Sequence, residues 1–405
     1  MRARGGAALV VYLISAAGCC WYAFHGLAHF VDLRVYRLGG DVVLNGGVGL
    51  YSVRFHELPF TYPPFAAVVF SAAAALPFSV SAVLLAGASV VALPVMLYLA
   101  LRLPSVLPVL GSREAWLVAL LAATAAVWLE PVRTTLGYGQ IDLLLALLVL
   151  YDLACALRLP GFLPGLFTGV AIGVAAGIKL TPGIFIVYLF LTRRYRAAAT
   201  AAITFGVAVL VGFAVLPGAS RWYWGGQFAN PGHISPVQDP ENQSLLGALA
   251  RTMHTADVTV VWLPLACLVA VTGLFLACIA ARRGDEALGF CFCAVTGLLI
   301  SPISWTHHWV LAVPALLLGG LAVYRGYRAG HVRTAVFCGF WLAVVLILGW
   351  LRLARQVTGS NWLGLSPSSL ISSASYVVIA LAFLVVAAWY SLRQRIVARD
   401  VTKRL

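Results

Sequence analysis

Only 13 of the 405 residues are acidic. Three of these, Asp32, Asp41 and Glu57, share the first polar stretch, HGLAHFVDLRVYRLGGDVVLNGGVGLYSVRFHELPFTYPP, from His25 to Pro64. In so apolar a chain a carboxylate is a functional candidate by default. Asp32 follows the first apolar run by a few residues, at the depth where an enzyme could deprotonate a hydroxyl held in the bilayer. An Asp ahead of an amphipathic turn also suits a helix N-cap, and one residue can do both.

The other candidates lie far along the chain. His307 and His308, in SPISWTHHWV, open a late apolar run. Histidine at a helix start beside lipid headgroups can bind a phosphate or hand it a proton. Trp305 and Trp309 on either side fit plain interfacial packing equally well. Neighbours on a helix point about 100° apart, so two adjacent histidines seldom serve one site. Lys179, in AAGIKLTPG, parts two apolar runs and is one of only two lysines. It either snorkels to the interface or pairs with an anion. Glu130, Arg133, Tyr138, Gln140 and Asp142 crowd into WLEPVRTTLGYGQID. That density suits hydrogen bonds to sugar or phosphate, or a plain turn. Trp222 and Trp224 fall in a long polar segment, where they could stack on sugar rings. Asn242-Gln243-Ser244 matches a glycosylation sequon, a short pattern that recurs by chance.

These residues need a scaffold, and the apolar runs supply it. They cover roughly 7–24, 62–78, 80–101, 114–129, 140–157, 161–178, 180–192, 197–216, 258–281, 287–303, 306–324, 333–351 and 372–392. Residues 7–24 read as a retained first span. A crossing needs about 20 residues, and several runs fall short, 180–192 most of all. The expectation is an all-α polytopic membrane protein with about 12 (11–13) spans. Arginine clusters put both termini, 192–196, 282–286 and 325–333 inside, and 25–61, 217–257, 304–307 and 352–371 outside. Thirteen runs conflict with two inside termini. Either 161–192 or 62–101 crosses only once, and that choice sets the side of 130–140. Asp32 to Leu44 reads as an amphipathic helix lying on the interface, ended by Gly46, Gly47 and Gly49. Loop 217–257 is long enough to be a lid or binding loop. The whole chain, 1–405, reads as one transmembrane unit.

Composition excludes other classes. Hydrophobic residues make up 62% and charged residues 10%, against about 25% charged in soluble domains. Mean hydropathy is +0.96. The net charge of +14 sits in short basic clusters between apolar runs, as in cytoplasmic loops, so nucleic acid is not an expected partner. The arginine, alanine and glycine bias fits a high-GC bacterium. Most of the 8 cysteines lie inside apolar runs and read as packing; Cys291-Phe292-Cys293 has no second ligand pair. Walker, GxGxxG, HExxH and GxSxG patterns are missing, and so is a DxD-like motif. A donor carried on lipid is favoured over one carried on a nucleotide.

The motifs VDLRVY (Val31 to Tyr36), Gly49-Leu50-Tyr51, FTYPPF (Phe60 to Phe65), GQID (Gly139 to Asp142), GIKLTPG (Gly177 to Gly183), Ser301-Pro302 and His307-His308-Trp309 occur in an order that resembles glycosyltransferase family 87. The likeness covers nearly the whole chain and is nearest to the actinobacterial α-1,2-mannosyltransferases of that family. It implies a GT-C membrane fold in a bacterial plasma membrane, with the active site on the periplasmic face. It implies inverting transfer of mannose from polyprenyl-phosphate-mannose to a mannosylated phosphatidylinositol or lipomannan-type glycolipid, without metal or other cofactor. Asp32 would be the general base. His307 or His308, with Lys179, Arg133, Tyr36 and Tyr62, would meet the donor phosphate or sugar. Glu130, Gln140, Asp142, Trp222, Trp224 and Asn242 would meet the acceptor. An arabinosyl donor, or a lipid-linked sugar transporter, remains open at this point.

Overall fold

A computed structural model describes residues 2–26, 29–105, 110–157, 167–328 and 362–386, with Gly330 and Gly339. The chain is mostly helical. The one sheet among the described residues is a two-stranded hairpin, β1 (Arg54–Phe55) and β2 (Leu58–Pro59), inside the first polar segment. The all-α expectation is corrected to that extent.

Helix α1 (Arg2–Gly26) leads through His29 and Phe30 into α2 (Val31–Leu44). After the hairpin come α3 (Pro64–Ala74), α4 (Phe78–Arg102), α5 (Ser112–Ala126), α6 (Glu130–Tyr138) and α7 (Asp142–Ala156). Then follow α8 (Val170–Ile178), a 3-10 turn at Thr181–Gly183, α9 (Ile184–Leu191) and α10 (Tyr195–Val215). The second long loop holds α11 (Pro217–Trp224) and α12 (Leu245–Thr252). The chain continues with α13 (Thr259–Arg282), α14 (Glu286–Ile300), a 3-10 helix at Thr306–Ala312 and α15 (Val313–Arg328). It ends, among the described residues, with α16 (Pro367–Ser373) and α17 (Ser375–Val386).

Five segments are long and apolar enough to cross a membrane: Arg4–His25, Phe78–Arg102, Tyr195–Val215, Thr259–Arg282 and Thr306–Arg328. A sixth counts if α5 and α6, bent by 76° at their junction, form one span. Pro64–Ala74, Thr181–Leu191, Glu286–Ile300 and Ser375–Val386 are apolar but shorter. Among the described residues, the expected 12 (11–13) spans appear as a mixture of long and short helices. The run at 333–351, residues 352–361 and the basic cluster from Arg393 to Arg404 lie outside the described residues.

The short helices explain the odd number of runs. At 11 residues, α3 rises only about 16 Å, half of a hydrocarbon core. Segment 170–191 behaves differently, because it goes in and comes back. Near its start, the amide of Ile172 bonds to Asp152 deep on α7; just past its end, Lys179 meets Asp142 at the head of α7. Helix α8 is thus antiparallel to α7. Helix α9 then runs against α14, with Ile184 beside Cys293 and Tyr188 beside Glu286. Lys179 stands at the tip of this hairpin, where the backbone turns extended (φ −146°, ψ 129°). So it is 62–101 that contributes a single long helix.

The apolar face of α2 is turned into the protein, burying Leu33, Val35 and Tyr36 against α3. Two glycines permit the approach. A Cβ on Gly40 would lie 2.5 Å from the carbonyl oxygen of Phe70, and one on Gly39 would meet the Phe60 ring. Leu33, Tyr36, Phe60, Phe70, Leu145 and Ile178 form one core there. A larger one gathers α1, α4, α5, α7 and α14. Asp32, Gln140, Asp142 and Lys179 lie where elements of the two cores meet.

Gly40→Ala should therefore lower thermal stability in detergent, by about 1–3 kcal/mol as for other overpacked contacts. Gly87→Ala, whose Cβ meets nothing within 4 Å, serves as the control. Equal melting of the two variants would contradict the close packing of α2 on α3.

Candidate active site

Asp32 lies in the first turn of α2, but it does not cap that helix. The N-cap is Phe30, in the left-handed region at φ 58°, and no side chain caps the end. His29 is also left-handed, at φ 46°. Two such residues in succession are strained, by about 1–3 kcal/mol each, and hold only where surroundings dictate them. Here the Phe30 amide donates to the Gly137 carbonyl at 2.9 Å. That bond ties the start of α2 to the end of α6. Gly139, at φ 70°, lets the chain leave α6 with Phe30 and Leu33 pressed against it.

The carboxylate of Asp32 is spent on a different partner. Its Oδ2 accepts from Nε2 of Gln140 at 2.7 Å. Gln140 is 2% exposed, and its Oε1 accepts from the Tyr36 hydroxyl. The Tyr36 and Tyr62 hydroxyls are 3.2 Å apart, and Nε2 of Gln140 lies 3.4 Å from that of Tyr62. Tyr36 in turn stacks on Phe70, with ring centroids 4.1 Å apart. Burial pushes the Asp32 carboxyl up to about 6, against the opposing pull of the Gln140 amide and the Lys179 ammonium.

Two residues beyond Gln140, Asp142 starts α7. One of its oxygens accepts from Nζ of Lys179 at 2.7 Å, and both side chains are buried. The other oxygen is unpartnered, 4.0 Å from Nε2 of His307. His307 and His308 are buried in the 3-10 helix with all four ring nitrogens unpartnered. Their rings meet edge to face at 4.8 Å, and His307 also touches Tyr138. Both histidines therefore lie in one cluster with Asp142, against the expectation from helical spacing. A cavity of about 20 Å³ opens beside them, lined by Asp142, Lys179, Thr181 and His308 among others, with room for one water-sized group.

Asp142, His307 and His308 offer ligand atoms within 4.8 Å of one another, the spacing of a small metal site, which sequence spacing did not suggest. Lys179 already holds that carboxylate, and its charge opposes a second cation. The same set, an ammonium with two unfilled imidazoles, suits an anion better.

Other candidates are placed elsewhere. Asn242 is fully buried and committed to main-chain groups, donating to Val237 and Pro302 and accepting from Ser244 and Ser304. It pins the long loop beside Trp305 rather than facing this cluster. Trp222 packs on Tyr51, and Trp224 on Phe205 and Phe228. Glu130 accepts from the Tyr376 hydroxyl at 2.6 Å; nothing in the sequence singled out Tyr376. Arg133 lies on the far side of α6, against α1. Cys291 and Cys293 are buried inside α14.

A family model described as glycosyltransferase family 87 matches residues 60–302. Asp32, His307 and His308 lie outside that stretch. The chain is 32% identical over 387 residues to a polyprenol-phosphate-mannose-dependent alpha-(1-2)-phosphatidylinositol mannoside mannosyltransferase of Mycobacterium tuberculosis, covering 91% of this chain and 86% of that protein. The protein of the same name in Mycolicibacterium smegmatis is 32% identical over 401 residues, with 93% and 89% covered. A polyprenol-phosphate-mannose-dependent alpha-(1-2)-phosphatidylinositol pentamannoside mannosyltransferase of Mycobacterium tuberculosis is 35% identical over 373 residues, with 89% and 79% covered. No solved structure matches the chain.

Removing one member of a buried ion pair strands the other. Lys179→Met should destabilise the protein by about 3–5 kcal/mol, and the double variant Lys179→Met/Asp142→Asn should regain most of it. Thermal unfolding in detergent reads both; a double variant no more stable than the single one would argue against the pair.

Proposed function

The chain belongs to glycosyltransferase family 87, and from that premise we propose that it is an inverting membrane mannosyltransferase. It moves mannose from polyprenyl-phosphate-mannose to a hydroxyl of a mannosylated phosphatidylinositol and forms an α-1,2 linkage. The fold is GT-C, and the reaction takes place at the periplasmic face of a bacterial plasma membrane. Arginines support that orientation. Arg102, Arg113, Arg193, Arg194, Arg282 and Arg283 all lie at helix ends remote from Asp32 and His307 along the chain path, as the positive-inside rule requires of the cytoplasmic side.

The observation that carries the mechanism is the adjacency of a base and a site for an anion. Gln140 holds Asp32, and two residues on, Asp142 holds Lys179. The Asp32 carboxylate takes the proton of the acceptor hydroxyl at about 3 Å. The hydroxyl oxygen bonds to C1 of the donor mannose as the C1–O bond to phosphate breaks, with inversion at C1. The bonding pair leaves with the polyprenyl phosphate. Its added negative charge develops beside Lys179, His307 and His308, preorganised and shielded from water. A double displacement would need a second carboxylate as nucleophile. Asp142, a carboxylate whose charge reaches Asp32, is engaged by Lys179. Metal is not required for these steps.

Asp32→Asn keeps the shape of the side chain and removes the base. Transfer of labelled mannose by the purified protein should fall by about 10²–10⁴-fold, with melting unchanged; retained transfer would overturn the role of Asp32.

The carboxylate is the active form, so kcat/KM should climb as pH rises through about 6 and level off above. Gln140 stabilises that carboxylate. Gln140→Leu should move the midpoint to higher pH and lower kcat with little change in KM. An unmoved midpoint would leave Gln140 a structural role only.

A further inference from the structure

Arg133 is a buried cation that this mechanism leaves unused. It is 9% exposed, and its buried Nε has no hydrogen-bond partner. Among the described residues no carboxylate, carbonyl or hydroxyl bonds its guanidinium. The Tyr22 ring lies 5.3 Å from its Cζ, and its charge also reaches the Cys19 thiol on α1. A buried charge without a counter-ion is strongly disfavoured, so such a group implies an anion supplied from outside the chain.

The surroundings say what kind of anion. Tyr22 lies one turn before the end of α1, and its ring is 6.4 Å from that of Trp128 in the turn between α5 and α6. Both are about half exposed, at 49% and 40%. A Tyr–Trp pair at the end of a membrane-spanning helix marks the headgroup level. Arginine there matches a phosphate with two parallel hydrogen bonds. The position also relates to the base. Arg133 is one turn from Gly137, whose carbonyl holds Phe30, two residues ahead of Asp32. Arg133 faces α1, whereas Lys179 and the histidines gather around Asp142 at the head of α7. Two cationic sites thus reach the base from different sides. The proposed reaction has two phosphate-bearing substrates, a donor with a phosphate at the reacting carbon and an acceptor with one in its lipid headgroup.

We propose that Arg133, in the cleft between α1 and α6 under Tyr22 and Trp128, binds the phosphodiester of the glycolipid acceptor. This rests on the transferase reading above. It makes Arg133 a determinant of acceptor choice rather than a donor contact. The acceptor enters between α1 and α6 with its phosphate at the headgroup level and its terminal mannose turned towards Asp32. The donor phosphate occupies the Lys179 side.

The test compares two acceptors in a phosphate-free maltoside detergent and in phospholipid nanodiscs. One is a mannosylated phosphatidylinositol; the other is an alkyl mannoside with the same terminal mannose and no phosphate. Wild type should prefer the first. Arg133→Gln should lower the ratio of their kcat/KM values about tenfold, the loss of one charge-assisted contact, and leave the donor KM unchanged. Arg133→Lys keeps the charge, loses the paired geometry and should fall between; it decides the matter if Arg133→Gln does not fold. An unchanged ratio, or a raised donor KM, overturns the proposal. A changed ratio in nanodiscs that disappears in detergent means that Arg133 holds bulk phospholipid, and also overturns it. Wild type that transfers to both acceptors equally refutes the phosphate site alone. Wild type that transfers to neither refutes the transferase reading.

Discussion

A lysine and an aspartate buried in an apolar helix bundle can persist only together. The pair between Lys179 and Asp142, at 2.7 Å, is the constraint on which the site depends. Separating two charges in a low-dielectric interior leaves each uncompensated, so the elements that carry them must stay in register. Asp142 heads α7 and Lys179 tips the hairpin of α8 and α9. Their pairing at one end, and the Asp152 bond to Ile172 at the other, sets α8 against α7 along its length. The break at Lys179 is therefore a feature of the site. A continuous helix through 170–191 would carry the ammonium past the head of α7.

Asp32, the proposed base, is positioned by a second device. Helix α2 reaches α3 through Gly39 and Gly40, and Gly139 lets the end of α6 come up against Phe30 and Leu33. The left-handed turn at His29 and Phe30 is the strained joint between them, held by the bond to Gly137. With the backbone so fixed, Asp32 faces Gln140 and not its own helix amides. Gln140 is held by Tyr36, one turn along α2 from Asp32, so both ends of the contact belong to one rigid unit. A carboxyl kept at depth yet hydrogen-bonded stays ionised near neutral pH and still wants a proton, which is what a base for a sugar hydroxyl requires.

Much of the scaffold was legible. Hydropathy located the helices, because each apolar run must satisfy its own backbone wherever it ends up. Glycines at 46, 47 and 49 marked the end of α2 and adopt the left-handed backbone there. The crowded polar groups of GYGQID and the interior Lys179 do find partners, as polar groups in apolar surroundings must. Other signals were ambiguous. Trp222 and Trp224 are aromatic residues in a loop, which fits sugar stacking and side-chain packing alike; the structure gives them ring neighbours of their own. Asn242 offered a polar amide, but every group on it is taken by the backbone it pins. Adjacent His307 and His308 looked divergent on α-helical spacing, yet a 3-10 turn and rings meeting edge to face bring both to Asp142.

Sequence alone determined the class of molecule, the positions of its helices, the family and a short set of charged residues in an apolar chain. These follow from local composition and from ordered motifs, which need no knowledge of what packs on what. Tertiary structure alone decided which of those residues meet. Asp32, Gln140, Asp142, Lys179 and His307 come from segments up to 275 positions apart. Their convergence depends on where helices break and how closely glycines let them approach. It also separated Arg133 from that cluster, although only seven positions part it from Gln140. A helix turns successive side chains to different sides, and only the packing of α6 between α1 and the 3-10 helix assigns a side to each.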